Sequence, residues 1–273
     1  AGQKGTAEDQ FTNARIAAKS LADVLDAGYE LCLAAGNGPQ VGAIQKQQAI
    51  ANEKVPEQPL HCCGGMSQGF IGYMFQQSLQ NELAKRGHPH TVATVITQSI
   101  VDENDPAFQN PTKPIGQFFS EEQAKKMIAE GATMKEDAGR GWRVVVPSPQ
   151  PKSIAEAEAV KTLLAAGHIV ISGVGGGVPV LRRADGTLEG VAAVIDKDLC
   201  SERIAELVKA DHLMILTDVE CAYMDYKKPT QKALNRLTVA EAEHHLEFGV
   251  FSEGSMKPKV LAAVRFVKET GRG

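Results

Sequence analysis

Two lysines stand where a helix is about to begin, a position in which a cation is electrostatically unfavourable. Lys197 lies inside Asp196-Lys197-Asp198, and Lys259 follows Pro258, a residue suited to a first helical turn. A positive charge there opposes the helix dipole by about 0.3–1 kcal/mol. Two such placements suggest that an anion sits between backbone N–H groups and both ammonium charges. Solvated surface lysines would show the same spacing, and Asp196 and Asp198 also read as N-cap residues. Two glycine clusters, Gly36-Asn37-Gly38 and Gly173-Val174-Gly175-Gly176-Gly177, each follow an apolar stretch and could turn N–H groups toward phosphate. Neither is a Walker loop, and Val178 stands where the last glycine of Gly-x-Gly-x-x-Gly belongs. Tight turns are the other reading of both. Spacing alone therefore points to an anion-binding α/β protein that handles phosphate.

Other chemistries have less behind them. Seven histidines, His61, His88, His90, His168, His212, His244 and His245, show no His-x-x-x-His zinc pattern. No all-protein metal site is expected. Ser67 in Gly65-Met66-Ser67-Gln68-Gly69 resembles a nucleophile elbow, but that elbow needs a preceding strand, which Leu60–Gly64 does not supply. Cys32, Cys62, Cys63, Cys200 and Cys221 form no Cys-x-x-Cys pair and an odd count, as expected of reduced thiols in the cytoplasm. The net charge of −4 argues against a nucleic-acid binder, which needs a basic surface. The charge-free runs Gln58–Asn81 and Thr162–Leu181 are too polar or too rich in glycine to span a membrane. Ala1–Glu8 is polar, so no leader is expected there.

The elements that must position these residues alternate. Apolar spacing predicts helices over Thr12–Ala27 and Ser67–Arg86, closed by Gly28 and Gly87, and strands at Tyr29–Ala35 and Thr91–Thr97. Val101–Phe119, with Pro106, Pro111 and Pro114, reads as irregular and functional. Ser120-x-x-Gln123, Ser153-x-x-Glu156 and Thr238-x-x-Glu241 have capping-box spacing. Strands are expected at Val144–Val146, Ile169–Ser172 and His212–Thr217, a hairpin at Asp185-Gly186, and helices at Asp198–Ala210 and Lys259–Thr270. This order predicts a largely parallel sheet covered by helices on both faces.

Taken together, several segments resemble the carbamate kinases of the amino acid kinase superfamily. They include Gly36-Asn37-Gly38-Pro39-Gln40-Val41-Gly42, Met66-Ser67-Gln68-Gly69 and Asn110-Pro111-Thr112-Lys113-Pro114-Ile115-Gly116. Glu136-Asp137-Ala138-Gly139-Arg140-Gly141-Trp142, Ile195-Asp196-Lys197-Asp198, Leu216-Thr217-Asp218-Val219 and Gly254-Ser255-Met256-x-Pro258-Lys259 continue the match almost to the end. The resemblance implies one domain over residues 1–273: a three-layer α/β/α sandwich on an open, mostly parallel sheet, with a small protruding subdomain at 101–142. It implies phosphoryl transfer between carbamoyl phosphate and ADP, giving ATP and carbamate, as in fermentative arginine breakdown. Mg²⁺ would be bound through the nucleotide phosphates, and the enzyme would be a homodimer.

Carried over by position, Lys197 and Lys259 would hold the transferring phosphoryl, Asp198 would orient them, and Lys113 would reach the carbamoyl end. Gly36, Asn37, Gly38, Gly175, Gly176 and Gly177 would cradle phosphates. Thr217, Asp218, Tyr223 and Met256 would meet the nucleotide. The sequence departs from the pattern in three places. It starts after the family's first strand and Gly-Gly-Asn loop and stops before its last strands, which we expect in adjoining residues. Ala35 stands where histidine is frequent, and Lys257 adds a charge beside the expected nucleotide site. Two other readings of the same residues are a catalytically silent binder of nucleotide or acyl phosphate, and a kinase for another small acyl phosphate.

Overall fold

The computed structural model describes residues 4–136 and 141–273. They form two compact units, Ala1–Lys197 and Asp198–Gly273. Part of one resembling segment, residues 137–140, lies outside the described residues.

The first unit opens with α1 (Ala7–Asp26), five residues earlier than the apolar spacing suggested. The cause is a capping box between Thr6 and Asp9, in which the N3 acid is one methylene shorter than the Glu or Gln of the usual pattern. A short β1 (Cys32–Leu33) leads to α2 (Gly38–Ala51) and then α3 (Leu60–Arg86). Helix α3 begins seven residues before the expected start, directly after Pro59. Ser67 therefore sits inside a helix, and the elbow reading is excluded. The glycines within α3 serve packing: a Cβ on Gly72 would stand 3.1 Å from Thr94 Cβ, so its absence lets the helix lie close against that residue's strand.

The chain continues through β2 (Val92–Thr94) and β3 (Gln98–Val101) to β4 (Lys113–Phe119). The expected irregular stretch thus contains a single 3₁₀ turn and a seven-residue strand. Next come α4 (Glu121–Ala129), β5 (Met134–Glu136) and β6 (Trp142–Val146). Strands β4, β6 and β5 form a small antiparallel sheet in that order. After β7 (Ser153–Ile154) and α5 (Ala157–Ala165) come β8 (Ile169–Ile171), β9 (Val178–Arg182) and β10 (Leu188–Gly190). Asp185-Gly186 turns β9 into β10, as expected.

Two sheets form the centre of this unit. In β1-β8-β2 every pair is parallel, and in β10-β9-β3-β7 the central β3–β9 pair is parallel. Ile169, Val170 and Ile171 of β8 are almost wholly buried, the near-continuous apolar run expected of a strand covered on both faces. Ala18, Ala22 and Leu25 of α1 and Ile71, Leu79 and Leu83 of α3 pack into the same cluster with Val92, Ile169, Ile171 and Val174. Each of the large side chains contributes about 1.5–3 kcal/mol by leaving water. Two alanines on α1 keep it close to α3.

Helix α6 (Lys197–Leu207) crosses into the second unit, which adds β11 (Ala222–Met224), β12 (Lys232–Leu234), α7 (Val239–Glu247) and α8 (Met256–Thr270). Helix α7 is capped by the expected Thr238–Glu241 box, and α8 starts three residues before Lys259. The Ser153–Glu156 box does not form. Ser153 is in β7, and the Glu156 carboxylate instead accepts from Gln98 N and Nε2, both at 2.7 Å. Residues 212–217 are not a strand, and Met214 and Leu216 are each 73% exposed. A strand exists through its neighbour's hydrogen bonds, and none of the described strands pairs with this segment. No described helix is long and apolar enough to cross a membrane.

Candidate functional site

In the first unit the chain's two glycine clusters meet. Gly175 N–H donates to the Ala35 carbonyl at 2.7 Å, which ties the glycine run to the Gly36-Asn37-Gly38 turn. Asn37 occupies the N-cap position of α2 without capping it. Its Nδ2 donates to Ser67 Oγ at 2.8 Å, and Ser67 Oγ donates to the Gly64 carbonyl at 2.7 Å. The Asn37 carboxamide consequently lies where a Cβ on Gly175 would stand. Gly36 completes the contact from the other side, because its own Cβ position is 3.3 Å from Cδ of Lys197. Asn37, Gly36, Gly175 and Lys197 are thus neighbours although far apart in sequence.

The glycine run does not supply the expected row of donors. The N–H groups of Gly173, Gly175, Gly176 and Gly177 are donated to Thr97 Oγ1, Ala35 O, Gly173 O and Val174 O. The run works instead through close approach. Gly173, Gly175, Gly176 and Gly177 all have φ between 67° and 91°, and a Cβ on Gly176 would stand 2.8 Å from the Ile195 carbonyl carbon. The first turn of α2, at Gly38 and Gln40, is where backbone N–H groups lack intrahelical acceptors.

A buried polar layer that the sequence reading missed holds the run in place. Thr97, Ser99 and Ser172 are 0% exposed and Gln68 is 1%. Gln68 exchanges two hydrogen bonds with the Thr97 backbone, at 2.8 and 3.0 Å. The Thr97 hydroxyl accepts from Gly173 N–H at 2.8 Å and lies 2.8 Å from Ser172 Oγ, while donating to Val95 O at 3.0 Å. Ser99 Oγ donates to Gly176 O at 2.7 Å. Buried hydroxyls persist only when satisfied, so this layer fixes one loop conformation. Polar side chains within the charge-free runs Gln58–Asn81 and Thr162–Leu181, such as Gln68 and Ser172, were the available signal.

Lys113, near the start of β4, reaches Asp196 with an Nζ–Oδ2 distance of 3.0 Å. In the second unit, Lys259 Nζ donates to Asp198 Oδ2 at 2.9 Å, with the Asp198 side chain 7% and the Lys259 side chain 18% exposed. Lys197 begins α6, as its flanking residues suggested, whereas Lys259 is the fourth residue of α8 and so lies inside the first turn. Thr217 and Asp218 are exposed neighbours, joined by a 3.3 Å hydrogen bond. Tyr223 is on the β11–β12 hairpin, its phenol pushed above the ordinary value first by a hydrogen bond with Cys221 and then by burial. Met256 is the first residue of α8, one turn before Lys259. Lys257 pairs with Glu253 at 2.6 Å. Among the described residues no group of three or more His, Cys, Asp or Glu could hold a metal.

Residues 5–272 match the amino acid kinase family. The carbamate kinase of Thermococcus kodakarensis is 54% identical over 274 residues, covering 99% of this chain and 87% of that protein. The carbamate kinase of Pyrococcus horikoshii is 52% identical with the same coverage. The structure of a Giardia lamblia carbamate kinase bound to AMP-PNP is 46% identical and superposes with a TM-score of 0.93, over 100% of this chain and 86% of that one.

Proposed function

The chain belongs to the amino acid kinase family and, within it, to the carbamate kinases, and on that premise we propose how its residues carry the reaction. The enzyme transfers a phosphoryl group reversibly between carbamoyl phosphate and ADP. In the direction of ATP synthesis the bond from phosphorus to the carbamoyl oxygen breaks, its electron pair leaves with carbamate, and an ADP oxygen forms the new bond. Carbamate then decomposes to ammonia and bicarbonate. The acceptor oxygen is already anionic, so no general base is required. What the protein must supply is position and charge.

Lys197 and Lys259 neutralise the transferring phosphoryl, and Asp198, in contact with Lys259, orients that ammonium. Gly36, Asn37 and Gly38 line the phosphates. Gly175, Gly176 and Gly177 leave the room that Asn37, Ile195 and Ser99 occupy, and so shape the cradle around those phosphates. Lys113 serves the carbamoyl end, and Thr217, Asp218, Tyr223 and Met256 face the nucleotide. Asp196 and Asp198 each already hold a lysine. That donor set suits a Mg²⁺ held by nucleotide phosphates rather than by a protein cage, and the ion would supply further charge neutralisation there. Residues 1–273 act as one kinase domain, with 101–142 as its subdomain, in a cytoplasmic homodimer that serves arginine breakdown. Five free thiols agree with a reducing compartment.

The observation that carries the site assignment is the packing of the Lys197 stem on Gly36 while Asn37 covers Gly175. It sets a cation beside the Gly36 turn, which Asn37 joins to the glycine run. The test is ATP formation from ADP, Mg²⁺ and carbamoyl phosphate by the wild type, Lys197→Ala and Lys259→Ala. Each substitution should lower kcat by about a hundredfold or more. Near-normal turnover in either variant would refute that lysine's role. ADP binding without turnover in the wild type would point to the silent binder, and turnover only with a different acyl phosphate to a different kinase.

A further inference from the structure

Lys113 and Asp196 are 83 residues apart, and the backbone brings them together from both sides. On the lysine's side, β4 pairs antiparallel with β6, and Lys113 stands opposite Val146. On the aspartate's side, Val194 N–H donates to the carbonyl of Pro147, the residue after Val146, at 3.0 Å. Ile195, next in the chain, is 3% exposed and packs against the space left by Gly176. Asp196 follows it directly. The route from Lys113 across β6 to Pro147, on to Val194 and along to Asp196 is a closed loop of backbone hydrogen bonds and covalent bonds, and the 3.0 Å ion pair shuts it.

This arrangement gives the Asp196 backbone little freedom. Its side chain is 14% exposed, while that of Lys113 is 36% exposed. An unanchored lysine side chain carries about 2 kcal/mol of rotamer entropy on its flexible stem. A partly buried carboxylate on a fixed backbone removes much of that freedom. The ammonium has three donors, and Asp196 needs one of them.

We propose that Asp196 is a positioning residue for Lys113: it holds the ammonium beside the start of α6 with two donors still directed to the substrate's carbamoyl end. The proposal rests on the role assigned above to Lys113. Asp196 acts through that lysine and does not itself touch the reacting atoms.

A double-mutant cycle tests it, with kcat and KM measured separately for carbamoyl phosphate and for ADP. Lys113→Ala should mainly impair carbamoyl phosphate use. Asp196→Asn should lower kcat/KM for carbamoyl phosphate by about tenfold or more, the usual scale for losing a hydrogen bond between charged groups, with KM for ADP nearly unchanged. In the Lys113→Ala background Asp196→Asn should cost almost nothing more, and Asp196→Glu should recover part of the loss. Running Asp196→Ser beside the others, with thermal melts of each, prevents one poorly folded variant from deciding the matter. Equal losses with and without Lys113 would overturn the proposal by showing that Asp196 acts on its own. Normal kinetics in Asp196→Asn, with Lys113→Ala impaired, would show the pair to be incidental and overturn it too. Normal carbamoyl phosphate kinetics in Lys113→Ala would remove the role of the lysine and this inference with it.

Discussion

Replacing Gly176 by alanine separates a loop shaped by close packing from one that is merely flexible. Gly176 has φ +91°, and its missing Cβ would lie 2.8 Å from the carbonyl carbon and 2.9 Å from Cβ of Ile195. Left-handed backbone costs an alanine about 1–2 kcal/mol. Relieving a clash against buried backbone costs about 1–3 kcal/mol more. The sum, about 2–5 kcal/mol, corresponds to a melting temperature lower by roughly 5–20 °C in a chain of this size. Ile195 cannot yield without moving Asp196 and Lys197, which follow it in the chain, so kcat should also fall by about tenfold or more. The control is Gly42→Ala. Gly42 lies within α2, has nothing within 4 Å of its Cβ position, and should gain up to about 1 kcal/mol from helix propensity. The assay is a thermal melt with ATP formation on the same preparations. A Gly176→Ala protein that melts and turns over like wild type would refute the packing argument, whatever the control does.

Three further expectations follow from other parts of the molecule. Thr97→Val keeps the shape but leaves Gly173 N–H without its acceptor, so it should cost about 1–3 kcal/mol in urea unfolding, and Thr97→Ser should recover much of it. Asp26 is held below its ordinary 3.8 first by the His88 hydrogen bond and then by Arg86, so its stabilising effect is present above that value and is lost as pH falls through the lower native value. The gap in melting temperature between wild type and Asp26→Asn should therefore be open at pH 7 and close in strong acid; a gap that persists there would refute the pairing. Burial pushes the Cys32 thiol up to about 12 and chiefly accounts for a raised Cys63, while Cys200 is 0% exposed. A maleimide at pH 8 should therefore label Cys62 and Cys221 before these three, as peptide mass spectrometry would show.

What could be read in advance divides along a physical line. Local signals held: the Ser120–Gln123 and Thr238–Glu241 boxes form with both reciprocal bonds, and Gly87 closes α3 with φ 75°. These depend on residues a few positions apart. Strand limits failed because a strand depends on a partner elsewhere in the chain. Tyr29–Ala35 is apolar but for Glu30, yet only Cys32 and Leu33 have a ladder neighbour. The Ser153–Glu156 box failed for a related reason: a Glu156 carboxylate that can take two donors from distant Gln98 does not bend back to cap its own helix. The lysines are legible as charges out of place on helix starts, and their partners half so: the resemblance assigns Asp198 to orient them, whereas Asp196 reads only as a cap.

The glycine run shows why a motif can point to the right place for an incomplete reason. Consecutive glycines do mark a backbone that other groups approach closely, and here those groups are the Asn37 carboxamide and the Ile195 carbonyl. Donors for a phosphate are a separate requirement, and the run's own N–H groups are spent on Thr97 and on nearby carbonyls. Only a residue without a side chain lets Ile195 sit against Gly176, and Asp196 and Lys197 follow Ile195 directly. The glycines therefore matter to the lysines through geometry: a methyl group added at Gly176 acts on Lys197 by way of one buried peptide, without touching it.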